Sequence, residues 1–172
     1  MNKNITLGRN ISWGRRSLIY FSPQSKIRIG TNIVFSNSIL NPTIKCKNKV
    51  FVLKTAILSI NDNCGFSGLS LYCSREITIG RNLVCGGNVN IWDSDFHELN
   101  YLDRRNQTNL VSSRTINIGD DVFIGANCTI LKGSYIGDRS ILGAGSVLRG
   151  KIGNDELWFG NPAIFIKKII IS

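Results

Sequence analysis

From Ile118 the chain reads Ile118-Gly-Asp-Asp-Val-Phe, Ile124-Gly-Ala-Asn-Cys-Thr, Ile130-Leu-Lys-Gly-Ser-Tyr, Ile136-Gly-Asp-Arg-Ser-Ile, Leu142-Gly-Ala-Gly-Ser-Val, then Leu148. An aliphatic residue returns every six places, and four places after each stands a small or β-branched one: Val122, Cys128, Ser134, Ser140, Ser146. Helical stripes return at three and four, whereas six is a multiple of the strand period. Short strands therefore present the same face again and again, separated by tight turns. Each coil alone would leave its apolar side bare, and stacking covers it, so the pattern predicts a parallel β-solenoid.

Working outward, the same register appears at Ile79, Cys85 and Ile91, at Ile60, Phe66 and Tyr72, at Ile29 and Phe35, and at Leu7, Trp13 and Ile19. The corners need residues that tolerate positive φ, and 17 glycines and 19 asparagines supply them. Asn10, Asn32, Asn82 and Asn127 fall at equivalent turn places. The 172 residues are read as a single domain, 1–172.

The register fails twice. Around 97–114 the apolar period disappears, which reads as a loop leaving the solenoid; its length marks it as functional. A second break follows Ile152 and opens a tail over about 153–172, ending in the apolar, lysine-bearing run from Ile164.

Net charge is +10, from 21 basic and 11 acidic residues. Residues 1–61 contain no acidic side chain but ten basic ones: Lys3, Arg9, Arg15, Arg16, Lys26, Arg28, Lys45, Lys47, Lys49 and Lys54. The remainder is balanced. No nucleic-acid motif or aromatic cluster accompanies the charge, so an anionic acceptor or peripheral membrane contact through the basic N-terminal coils fits it better than nucleic acid. No apolar run reaches the ~20 residues of a membrane span and the N-terminus lacks a signal core, so the cytoplasm is the expected location. Five scattered cysteines (Cys46, Cys64, Cys73, Cys85, Cys128) read as reduced core residues. The single histidine, His97, excludes a multi-histidine metal site.

The hexads resemble those of the left-handed parallel β-helix, hexapeptide-repeat acyltransferases, closest to the sugar and polysaccharide O-acetyltransferases. The resemblance implies an all-β triangular solenoid with one protruding loop, assembled as a homotrimer with active sites between subunits. It implies acetyl-CoA as co-substrate, no metal, and a sugar acceptor, in surface polysaccharide biosynthesis. N-acetylation of an amino sugar or another small amine such as an antibiotic is the alternative.

In Asp93-Ser-Asp95-Phe-His97, alternate residues of an extended chain share a face, which sets an imidazole beside two carboxylates. The stretch is similar to the family's Asp-x-Asp-x-His, whose histidine is the general base. That implies His97 as base, with Asp95 orienting it and Asp93 contacting the acceptor. Ser67-Gly68 stands where galactoside-type members carry an acceptor-binding asparagine, leaving Ser67 as the contact there. Gly160-Asn161-Pro162-Ala163 resembles the element near which the family holds coenzyme A. By the same likeness Ala126 and Ala144 leave room for the pantetheine arm, and Phe123 replaces a common tryptophan. Arg149, Lys151, Lys167 and Lys168 are the implied phosphate partners. The cysteines occupy core slots, so direct transfer is expected rather than a route through an acyl-enzyme.

Overall fold

The computed structural model describes residues 4–15, 17–36, 47–108 and 110–170. Cys46 and the basic residues Lys3, Arg16 and Lys45 lie outside them. Strands wind into a triangular prism of three sheets. The first face stacks Ile5–Leu7, Lys26–Ile29, Ile57–Ile60, Glu76–Ile79, Ile116–Ile118, Tyr135–Ile136 and Lys151–Ile152. The second stacks Ile11–Trp13, Ile33–Ser36, Gly65–Ser67, Val84–Gly87, Phe123–Ile124, Ile141–Leu142 and Glu156–Gly160, with Ala163–Lys168 at its edge. The third stacks Leu18–Phe21, Lys49–Val52, Ser70–Cys73, Asn90–Trp92, Thr129–Leu131 and Val147–Leu148. Every pairing between these strands is parallel except that of Glu156–Gly160 with Ala163–Lys168, which is an antiparallel hairpin.

The six-residue period is the cause of this shape. Ile118, Ile124, Ile130, Ile136, Leu142 and Leu148 all point inward and are buried, and so are Val122, Cys128, Ser134, Ser140 and Ser146. The buried serines satisfy their hydroxyls on main-chain carbonyls; Ser140 donates to Gly153 O at 2.6 Å. At the N-terminal end aromatics fill the axis: Trp13 stacks on Phe35 at 4.5 Å, and Phe35 on Phe66 at 5.0 Å. Leu7 keeps its register with Ile29 but is half exposed, because the end coil is covered on one side only.

The corner between the first and second faces is the most regular. Asn10, Asn32, Asn63, Asn82, Asp121, Arg139 and Asp155 stack there with φ between 55° and 61°. The asparagine side chains form a ladder, Asn10 to Asn32 at 3.0 Å, Asn32 to Asn63 at 2.9 Å and Asn63 to Asn82 at 3.2 Å. Two places earlier stands a glycine at every one of these corners except that of Asn63, which has Asn61, and a Cβ on Gly80 would collide with the backbone of Gly119.

Two expectations are corrected, and one element is added. Tyr72 is not inward; Leu71 is buried instead, because the corner at Gly68 (φ 66°) is one residue shorter than its neighbours. Within the protruding loop, Tyr101–Asn106 forms a short helix, capped by Asn100 Oδ1 accepting from Leu102 N at 2.9 Å. The second break does not leave the prism at 153. The corner shortens earlier, at Gly150 (φ 148°), and the stack then continues: Ile152 is fully buried and Trp158 pairs with Leu142.

Candidate active site

Between Trp92 and Ile116 the chain leaves the corner that joins the third face to the first. A neck closes the excursion: Ser94 bridges Ser113, Asp95 N donates to Ser112 O at 3.1 Å, and Arg114 N to Asp93 O at 2.9 Å. The loop then binds itself. The Arg104 guanidinium donates to Glu98 O at 2.7 Å and Leu99 O at 2.8 Å, while Glu98 Oε1 accepts from Leu110 N at 2.9 Å. His97 is exposed at this neck and borders a hollow of about 220 Å³ shared with Asp95, Glu98, Asn100, Asp103 and Ser112.

The shared face expected for Asp93, Asp95 and His97 does not form. Phe96 adopts φ 64°, which breaks the extended run and turns His97 away from the line of the two carboxylates. The Phe96 ring packs on Tyr72 at 4.7 Å and Trp92 at 5.5 Å.

Asp93 is fully buried. Its Oδ1 accepts from Ser74 N at 2.7 Å and Ser74 Oγ at 2.9 Å; its Oδ2 accepts from Arg75 N at 2.7 Å and Glu76 N at 2.9 Å. It closes the corner of the preceding coil, and the expectation that it contacts an acceptor is corrected: no lone pair faces solvent. Asp95 does not hydrogen-bond His97 either. Its carboxylate forms an ion pair with Lys132, whose Nζ also donates to Ser112 Oγ at 2.8 Å. Lys132 thus holds both limbs of the neck. The sequence reading missed it, although a signal was present: the hexad from Ile130 has Leu131 in its second place where Gly119, Gly125, Gly137 and Gly143 stand in its neighbours.

The residues expected at the acyl donor separate into three groups. Ala126, Ala144, Asn161 and Pro162 line the corner between the second and third faces, where Ser67, expected at the acceptor instead, also stands, with Phe123, 44% exposed, on the adjoining second face. This corner is narrow and smooth: a Cβ on Gly86 would come within 2.6 Å of Ala126 N, and beside Gly145 there is open space. It fits a slender unbranched arm. Arg149 and Lys151 lie instead at the corner of the His97 loop. Lys167 and Lys168 sit at the far end of the hairpin, by the first corner. The Lys168 ammonium is already engaged, with Glu156 Oε1 at 3.0 Å and Asn154 O at 2.8 Å, which corrects its reading as a free phosphate contact. Within one chain, then, the imidazole and the smooth corner occupy opposite edges of the third face.

Cys64, Cys73, Cys85 and Cys128 are buried and free. Burial pushes the Cys64 thiol up to about 11 and raises the other three. None of these four is an exposed nucleophile. Among the described residues no three His, Cys, Asp or Glu side chains are grouped to hold a metal, and no helix is long and apolar enough to cross a membrane.

Residues 115–150 match the family model for bacterial transferase hexapeptide repeats (six repeats). The chain is similar to a lipopolysaccharide biosynthesis O-acetyl transferase, WbbJ, of Escherichia coli K12, described as putative: 34% identical over 100 residues, 55% of this chain and 51% of that protein. The chain spans about half the length of the curated relatives it matches. Among solved structures it resembles the hexapeptide-repeat acetyltransferase VCA0836 of Vibrio cholerae in complex with acetyl coenzyme A (TM-score 0.56, 25% identity, 98% of this chain and 72% of that one). It also resembles galactoside acetyltransferase in complex with coenzyme A (TM-score 0.55, 26% identity, 95% and 64%).

Proposed function

Starting from the left-handed parallel β-helix of the hexapeptide-repeat acetyltransferases, we propose that this chain moves an acetyl group from acetyl-CoA to a sugar hydroxyl, with His97 as general base. The observation that carries the reading is the placement of the chain's one histidine: exposed, beside a hollow, on a loop whose neck Lys132 and Asp95 fasten to the prism.

The thioester supplies an activated acetyl group. An imidazole nitrogen of His97 takes the proton of the acceptor hydroxyl as its oxygen attacks the thioester carbonyl. Collapse of the tetrahedral adduct breaks the carbon–sulfur bond, and the proton passes to the leaving thiolate. Main-chain N–H groups are the natural donors to the oxyanion. The four described cysteines are buried, which favours this single displacement over an acyl-enzyme. Ala126 and Ala144 would flank the pantetheine arm, and Arg149 and Lys151 offer cations. Because His97 and the alanine corner lie on opposite edges of the third face, we take the site to form between two copies of the chain in a homotrimer. WbbJ is named for lipopolysaccharide biosynthesis, and a surface-polysaccharide sugar is the acceptor class proposed here.

Thiol release from acetyl-CoA, followed across a panel of sugars, amino sugars and nucleotide sugars, tests the reading. Acceptor-dependent release with a sugar lacking an amine supports it. Release with amines alone would replace it by N-acetylation, and none with any acceptor would remove it.

A further inference from the structure

We infer that the N-terminal end of the prism is a membrane-docking surface, which seats the column end-on against a bilayer with anionic headgroups. The inference stands apart from the acetyl-transfer reading and concerns a part of the chain that reading does not use.

The outermost coil is made of Ile5–Leu7, Ile11–Trp13 and Leu18–Phe21, and the next of Lys26–Ile29, Ile33–Ser36 and Lys49–Val52. No acidic residue precedes Asp62. Seven basic residues described at this end are all exposed, and they surround the column. Arg9 stands at the corner between the first and second faces, Arg15 between the second and third, and Lys54 between the third and first. Lys26 and Arg28 project from the first face, and Lys49, with Lys47 two places before it, from the third. Charge that circles the column in this way belongs to its end rather than to one side. The opposite end differs, for there Arg139 pairs with Asp155 and Lys168 with Glu156.

The ring of cations has an apolar centre. Each strand of the outermost coil pairs with one neighbour, in the next coil, and among the described residues nothing pairs with its free edge. Ile5, Ile11, Trp13 and Phe21, packed against the core, are therefore only half-buried, and Leu7 is 51% exposed. The Trp13 ring rests on Phe35 with one face and turns the other to the end. At the far end the corresponding Leu148 and Ile152 are buried.

An apolar patch with an indole in it, ringed by Lys and Arg, is what partitions into the headgroup layer of an anionic bilayer. A flat surface of one sign meets cations on every edge of a column at once, whereas a soluble acidic chain would need a stripe or groove to follow. The free strand edges keep N–H and C=O groups that need water, so the end sits at headgroup depth and not in the hydrocarbon. The loop bearing His97 leaves the prism after Trp92, three coils further on, about 14 Å along the column. A seated column therefore leaves that loop clear of the lipid.

Vesicle co-sedimentation tests this with phosphatidylcholine alone and with an equal mixture of phosphatidylcholine and phosphatidylglycerol. The chain should bind the mixed vesicles and not the neutral ones, and added salt should weaken the binding. Lys26→Gln combined with Arg28→Gln should lower affinity for the mixed vesicles about 25-fold, at about fivefold per cation. Leu7→Gln should also weaken it, and Arg105→Gln, which takes a cation from the loop helix, should leave it unchanged. All four positions are exposed, and circular dichroism checks that each variant keeps its β signal. Binding to neither composition, equal binding to both, or a Lys26–Arg28 variant that binds like the wild type would overturn the inference. So would retention on polyglutamate without vesicle binding, which would identify an acidic polymer as the partner. The assay contains neither acetyl-CoA nor acceptor. Its failure leaves the acetyl-transfer reading standing, and absence of thiol release with every sugar leaves the docking surface standing.

Discussion

Lys132 and Asp95, 37 residues apart in sequence, form an ion pair at the neck of the loop that bears His97. Both are largely shielded from solvent, with side-chain exposures of 17% and 26%, and Ser112 on the opposite limb accepts from the same ammonium. One cation from the prism therefore fixes both ends of a 23-residue excursion, 93–115.

Lys132→Met should release the neck without touching the reacting groups. We expect kcat to fall on the order of 10- to 100-fold, the scale of a misplaced catalytic group, with KM for acetyl-CoA unchanged. Steady-state kinetics separate the two constants. A rise in KM with kcat intact would mean that Lys132 binds the donor instead.

Asp93→Ala removes one carboxylate from four donors, three of them main-chain N–H groups of Ser74, Arg75 and Glu76. Leaving them unsatisfied inside the corner should cost about 2–4 kcal/mol, read from urea denaturation. Activity per folded molecule should survive. A variant as stable as the wild type but unable to bind acceptor would restore the substrate role denied above.

Cys64 holds its proton to about 11 in the folded chain, against an ordinary 9.0. The unfolded chain therefore loses protons first as pH rises. The stabilisation is fully present below pH 9 and falls between pH 9 and about 11. At pH 8 Cys64, Cys73, Cys85 and Cys128 should resist an aromatic disulfide reagent until urea is added. Fast labelling of Cys64 in the native state would contradict its burial.

The repeat was legible because it is local and redundant. Each inward position from Ile118 to Leu148 repeats one physical requirement, and the αL asparagines at the corners repeat another, so no single residue carries the inference. Tyr72 was misread because one corner is a residue shorter, and period counting assumes equal corners. The pairings of Asp93, Asp95 and Lys132 were illegible for a different reason. Their partners lie on neighbouring coils, 17 to 37 residues away, and the alternation rule that grouped Asp93 with His97 fails at a single positive φ, that of Phe96. The family resemblance likewise implied Lys168 near a cofactor without revealing that Glu156, opposite it in the hairpin, already holds it.

In the proposed reaction His97 of one copy acts on an acetyl group lying along Ala126 and Ala144 of another. Subunit mixing tests it most directly. His97→Ala should lower kcat by on the order of 10²–10⁴, and Ala144→Trp should block the donor, so each homotrimer is nearly inactive alone. Co-expressed in equal amounts, the two chains should assemble at random, so that about a quarter of all sites in the population, and about one in three within each mixed trimer, pair an intact His97 with an intact Ala144 from different copies. Recovery of about a quarter of wild-type turnover is the predicted result; mixed trimers as inactive as either parent would contradict a site shared between chains.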